Sequence, residues 1–154
     1  MTSLDYNKVY SRLFGKIEAY DFISLPEEDI YDLLCGWLHS AVANPYVRRL
    51  FSSFNFDDLI QQMTYEMKYS IDDYSDEEFI IEILSIGMAV SWLEPKVHSF
   101  TNIAQFFGSK EEKFYSQSQH ISELRGLVRD FKQQQRRMIA DRGYAWNTYL
   151  DGEQ

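Results

Sequence analysis

The sequence predicts a mainly α-helical fold: a helical bundle of about four to five helices with a short β segment near residues 62–71 and an extended C-terminal tail. Three observations carry that expectation. Apolar residues recur every three or four positions through most of the chain, the period of one helix face. The run from Phe79 to Leu93 is apolar almost all round, the pattern of a helix buried at the centre of a bundle. One stretch, Gln62 to Ile71, alternates at period two, as a half-buried strand does.

Taken in order, Tyr6, Val9, Leu13, Phe14, Ile17 and Tyr20 predict a first helix over 5–20, with Gly15 weakening it. Ser24-Leu25-Pro26-Glu27 has the form of a capping box, with Pro26 in the first turn and Glu28 and Asp29 near the positive end of the helix dipole. The helix that starts there presents Ile30, Leu33, Leu34, Trp37, Leu38 and Ala41 on one face, and Asn44-Pro45 stops it near Ala43. Tyr46 to Ser53 extends as a short helical turn, and Phe54-Asn55-Phe56-Asp57-Asp58 reads as loop or turn.

In the alternating segment Met63, Tyr65, Met67, Tyr69 and Ile71 fall on one face and Thr64, Glu66, Lys68 and Ser70 on the other. A lone strand leaves its backbone donors and acceptors unmet, so Met63, Tyr65, Met67 and Tyr69 mark a segment that pairs either with a less obvious stretch of this chain or with another subunit. Asp72 to Asp76 supplies a turn and cap before the central helix, which Glu94-Pro95-Lys96 kinks or ends. A short helix over 102–107, a stop at Gly108 and a connecting loop over 109–117 follow.

The last helix is expected to start near Ser116 or Ser118, with Ile121, Leu124, Val128, Phe131, Met138 and Ile139 as its apolar stripe. Arg125, Arg129, Lys132, Arg136, Arg137 and Arg142 decorate it. Beyond Gly143 come Tyr144, Trp146 and Tyr149. The expected organisation is a helical domain over 1–142 and an extended tail over 143–154 that docks on a partner.

At 154 residues and 45% apolar composition the chain is large enough for one self-sufficient core. The single Cys35 excludes an intramolecular disulfide, and its apolar surroundings suit a thiol acting as a small hydrophobe. Residues 1–10 lack the pattern of a signal peptide, and no stretch has the length of a membrane span, so a reducing aqueous compartment is expected. The net charge of -9 is uneven: residues 1–100 hold 7 basic and 17 acidic side chains, residues 101–154 hold 8 and 7. An acidic chain repels nucleic acid on average, so any contact with DNA has to come from the basic stripe of the last helix. With 11 Tyr, 11 Phe and 3 Trp, the aromatic content exceeds what a core of this size needs, which favours an interaction role.

Catalytic and metal motifs are lacking. His39, His98 and His120 lie in separate segments, with no second His one helical turn away and no dense acidic cluster, so neither a metal site nor a cofactor is expected. No glycine-rich phosphate loop, nucleophile elbow or Cys-x-x-Cys pair occurs. The acidic clusters at 27–29, 57–58, 72–73 and 76–78 each adjoin a turn or helix start and read as caps rather than cation ligands. The basic stripe has three readings: a solvated face, a DNA-facing surface, or a surface that meets acidic patches on a neighbouring copy. Tyr144, Trp146 and Tyr149 either fold back on the core or insert into a partner.

Asp32-Leu33-Leu34 leading into Trp37-Leu38-His39-Ser40-Ala41, Leu84-Ser85-Ile86-Gly87-Met88 preceding Trp92-Leu93-Glu94-Pro95-Lys96-Val97, and the stretch from Phe107-Gly108 to Leu124 carry a resemblance. With the arginine-rich last helix and aromatic tail, the chain resembles the head-tail connector (adaptor) proteins of tailed bacteriophages. The resemblance implies an all-helical core, a virion neck location, and a ring with the portal's twelvefold symmetry. It also implies contacts to the portal protein, to neighbouring copies and to a stopper or tail protein, with double-stranded DNA passing through the channel without sequence-specific contact. It implies no catalysis. Tyr144, Trp146 and Tyr149 would then dock on the portal or an adjacent copy, and Arg125, Arg129, Lys132, Arg136 and Arg137 would face a neighbouring subunit or the channel. The alternating segment 62–71 departs from a simple helical bundle. Two other readings stand beside this one: an acidic regulatory binding protein of phage or bacterial origin, and a small helical hydrolase using scattered residues such as His39 and Glu82.

Overall fold

A computed structural model describes the backbone of residues 1–17, 26–106 and 111–145, and the side chains of 1–17, 26–98 and 119–143. The chain is mainly helical, with five helices and a three-stranded antiparallel sheet among the described residues. The elements are β1 (Thr2–Asp5), α1 (Tyr6–Phe14), α2 (Glu27–Ala43), α3 (Pro45–Arg48), β2 (Phe51–Asp57), β3 (Gln62–Met67), α4 (Asp73–Phe106) and α5 (Glu111–Ala145).

The alternating segment forms β3, and its partners come from the same chain. β3 is the central strand of the order β1-β3-β2, paired from Thr2↔Tyr65 to Asp5↔Gln62 on one side and from Phe51↔Met67 to Asp57↔Gln62 on the other. Of the two expected sources of a partner, the less obvious segment supplies it, and Met63, Tyr65 and Met67 are not a free edge for another subunit. Tyr69 lies beyond the strand. The loop expected over 54–58 is corrected to a strand through Asp57: a register shift between Phe51 and Ser53 breaks the period-two pattern, so Phe51, Phe54 and Phe56 do not read as one alternating face.

One face of the sheet carries the buried Leu4, Phe51, Met63, Tyr65 and Met67 and packs on the helices. α4 is the buried central helix that its composition predicts, with Ile80, Ile83, Leu84, Ile86, Met88 and Ala89 fully enclosed. It packs against α1, α2 and α5. The pairings Asp76–Arg142, Ile83–Gln135 and Glu94–Lys132 run in opposite chain directions, so α4 and α5 are antiparallel. Buried Gln135, within the α5 apolar stripe, donates Nε2 to the Ile83 carbonyl at 2.8 Å.

Of the two outcomes expected at Glu94-Pro95-Lys96, a kink or an end, the end does not occur, and α4 runs on through Pro95. An interior proline costs about 3 kcal/mol, and here packing along α5, including the Lys132–Glu94 pair at 2.9 Å, holds the helix through it. The separate helix over 102–107 is therefore the continuation of α4 as far as Phe106, and residues 111–117 of the expected loop belong to α5. α5 runs on to Ala145, so the extended tail does not begin at Gly143. Pro26 is the residue before α2 rather than in its first turn. The Ser24 cap, the stop at Gly108, and the side chains of Tyr144, Trp146 and Tyr149 lie outside the described residues.

Candidate functional site

Two features stand apart from the core. The first gathers at the tip of the β2–β3 hairpin. Residues 58–61 make its turn, closed by Gln61 at φ 54, a left-handed conformation unfavourable for a residue with a Cβ. Bonds hold it there: Gln61 Nε2 donates to the Asp58 carbonyl at 2.9 Å, and the Gln61 carbonyl accepts from the Tyr6 amide at 2.9 Å. This turn delivers the Asp58 side chain to α1 and α2.

Asp58 Oδ1 accepts from the Tyr6 hydroxyl at 2.5 Å and lies 3.0 Å from His39 Nε2. The His39 ring is stacked on Phe56, centroids 3.8 Å apart and planes 9° apart, which fixes the imidazole. Cys35 precedes His39 by one helical turn on α2, so both project from one face. Cys35 Sγ, a His39 ring nitrogen and an Asp58 oxygen lie within 4.8 Å of one another. The hydrogen bond from Tyr6, then that from His39, holds the Asp58 carboxyl below its usual range. Burial, then bonding to Asp58, pushes the Cys35 thiol up to about 11. A thiol held in its protonated form is a weak nucleophile at neutral pH.

Tyr10, one turn after Tyr6 on α1, is buried, and its hydroxyl has no hydrogen-bond partner among the described residues. Burial raises its pKa, and the charges of Cys35 and Asp58 raise it further.

Sequence spacing missed this cluster because Asp58 arrives through the hairpin. The available signal was the Cys35-x3-His39 spacing, one helical turn. Asp58 is therefore no helix cap, in contrast to Asp72, which accepts from the Ser75 amide at 2.7 Å ahead of α4. Glu82, paired with His39 in the hydrolase reading, is engaged elsewhere, by Arg12 at 2.9 Å and Lys16 at 2.5 Å.

The second feature is the outer side of α5. Arg125, Arg129, Lys132 and Arg136 follow at steps of four, three and four and so form one exposed line, with Arg137 exposed off it. Lys132 pairs with Glu94, and the Arg136 guanidinium lies 5.2 Å from the centroid of the Tyr46 ring. Beside this line a groove of about 410 Å³ is floored by Ala41 and Gly87 and rimmed by Tyr46, Glu94, Lys132 and Arg136. Arg142 does not belong to the exposed set. It turns inward to Asp76 at 2.5 Å.

Among the described residues no helix is long and apolar enough to cross a membrane. No protein-family model, curated protein or solved structure matches the chain.

Proposed function

We propose that the chain is a non-catalytic structural subunit, a head-tail connector of a tailed phage that assembles as a ring on the portal and leaves a channel for DNA. The observation that carries the reading is the separation of exposed charge. The basic line of α5 lies on one element, and the exposed carboxylates Glu27, Glu28, Asp29 and Asp32 crowd the start of α2. A line of cations on one element, with Glu123, Asp130 and Asp141 exposed among them, and a cluster of carboxylates on another suit a head-to-tail contact between identical copies, the kind that closes into a ring.

Exposed apolar side chains support the same reading. Leu59 at the hairpin tip is 97% exposed and Ile60 beside it 61%, while Tyr69, Ile71 and Tyr74 stand out between β3 and α4. The tail residues Tyr144, Trp146 and Tyr149 complete the proposed portal contact.

The test is co-assembly. The purified chain is mixed with the portal ring encoded in the same genome and followed by sizing and native mass spectrometry. A monomer or small oligomer alone and a closed ring on the portal are expected. A chain that leaves the portal unoccupied at tens of micromolar, while remaining folded, overturns the connector reading.

A further inference from the structure

We propose that Cys35, His39 and Asp58 form a binding site for a single divalent transition-metal ion of the Zn²⁺ class. One thiolate, one imidazole and one carboxylate are the donor types that such ions take, and the sulfur disfavours Mg²⁺ and Ca²⁺, which require oxygen. Three protein donors leave a fourth tetrahedral position for water or an outside ligand.

Donors bonded to one tetrahedral Zn²⁺ stand about 3.4 Å apart. The His39–Asp58 edge, at 3.0 Å, is already near that spacing, and Cys35 completes a triangle no wider than 4.8 Å. Small side-chain rotations therefore suffice. The surroundings are those of a supported site: Phe56 stacks on the imidazole, and Tyr6 bonds Asp58. His39 and Asp58 side chains are 40% and 46% exposed, which leaves a path for the ion to enter.

A second observation points the same way. Among the described residues the buried Tyr10 hydroxyl lacks a hydrogen-bond partner, and Tyr10 stands one helical turn from Tyr6, which bonds Asp58. A buried hydroxyl left unbonded is costly. Water on the fourth position of the metal would accept or donate the missing bond.

Binding exchanges a proton for the ion: the Cys35 S–H bond breaks, the sulfur lone pair forms the metal–sulfur bond and that proton leaves to solvent, while the His39 proton directed at Asp58 moves to the other ring nitrogen, so that the neutral imidazole binds through the freed lone pair. Because the thiol proton must leave for the sulfur to bind, affinity rises with pH.

The full chain is titrated with Co²⁺, a spectroscopic probe for Zn²⁺ sites, at constant pH. The expected result is a near-ultraviolet thiolate-to-cobalt charge-transfer band that saturates at one equivalent and is abolished by competing Zn²⁺. Cys35→Ser should remove the band, and His39→Ala and Asp58→Asn should each weaken Co²⁺ binding at least tenfold. Tyr10→Phe should weaken it by about tenfold, the usual effect of an outer partner. Far-UV circular dichroism of each variant checks that it is folded. Absence of a thiolate band at millimolar Co²⁺, or cobalt binding equally tight in Cys35→Ser and His39→Ala and hence located at other ligands such as His98 or His120, overturns the proposal.

Discussion

Asp76 and Arg142 are both nearly enclosed, with side chains 7% and 9% exposed, and each is satisfied several times over. Asp76 also accepts from the Ser70 hydroxyl at 2.5 Å and from the Ile71 amide at 3.1 Å, while Arg142 donates to the Tyr69 carbonyl at 3.1 Å and lies 4.6 Å from the Phe79 ring centroid. Burial alone would raise the Asp76 pKa, but the bonds from Ser70, Ile71 and Arg142 outweigh it and hold the carboxyl below its ordinary value. Removing one member strands a charge in the interior, so Arg142→Ala should cost about 3 kcal/mol in chemical denaturation. Asp76→Asn with Arg142→Ala should cost less than the sum of the two single changes. The sign of the pH effect follows from the lowered pKa. The Asp76 contribution is complete above the unfolded value near 3.9 and is lost as pH falls through the folded value below it. The wild type should therefore lose stability below about pH 4 more steeply than Asp76→Asn, and parallel acid-unfolding curves would refute this. Nothing in the sequence marks Arg142 apart from its exposed neighbours Arg136 and Arg137, because the difference is made by Asp76 in the first turn of α4, 66 residues earlier in the chain.

At the scale of elements, α2 and α4 approach closely at Gly87 and Ala41. A Cβ placed on Gly87 would stand 2.9 Å from the Ala41 Cβ and 3.3 Å from Gln135 Nε2. In an isolated helix Gly→Ala gains about 1 kcal/mol. Here two packed helices must separate to accept the methyl group, and overpacking costs about 1–3 kcal/mol. Gly87→Ala should therefore lower stability by about 1 kcal/mol, and Ala41→Gly in the same chain should recover part of it. A Gly87→Ala chain more stable than the wild type would show that the contact yields freely.

Periodicity revealed the elements that pack in the ordinary way: α1, α2, β3, the buried part of α4 and the apolar stripe of α5 all follow from the spacing of their side chains. It failed where a longer-range partner decides. β1 is four residues and earns its place only by pairing with β3, β2 is broken by a register shift, and Pro95 is carried by its neighbours on α5. The Cys35–His39–Asp58 cluster belongs to the same class. Two of its members are a helical turn apart, but the third depends on a hairpin whose first strand reads as a loop.

At the scale of the molecule, the proposed ring depends on charges that do little for the fold. Arg129 and Arg137 are exposed on α5, so replacing both with Glu should leave the melting curve of the isolated chain within about 0.5 kcal/mol of the wild type. The same pair of changes reverses four units of charge on the surface proposed to meet the α2 carboxylates of the next copy. Assembly on the portal should fall at least tenfold. Wild-type assembly should also weaken as salt shortens the range of attraction between exposed charges. The same basic line would be salt-sensitive if it met DNA instead, so the measurement is made on nuclease-treated protein with no DNA present. Loss of ring formation under those conditions assigns the line to the subunit contact. Intact rings, with a defect only when DNA is packaged, move the line to the channel wall. Rings indifferent to both the substitutions and salt remove electrostatics from the assembly and leave it to apolar contacts such as Leu59 and Ile60.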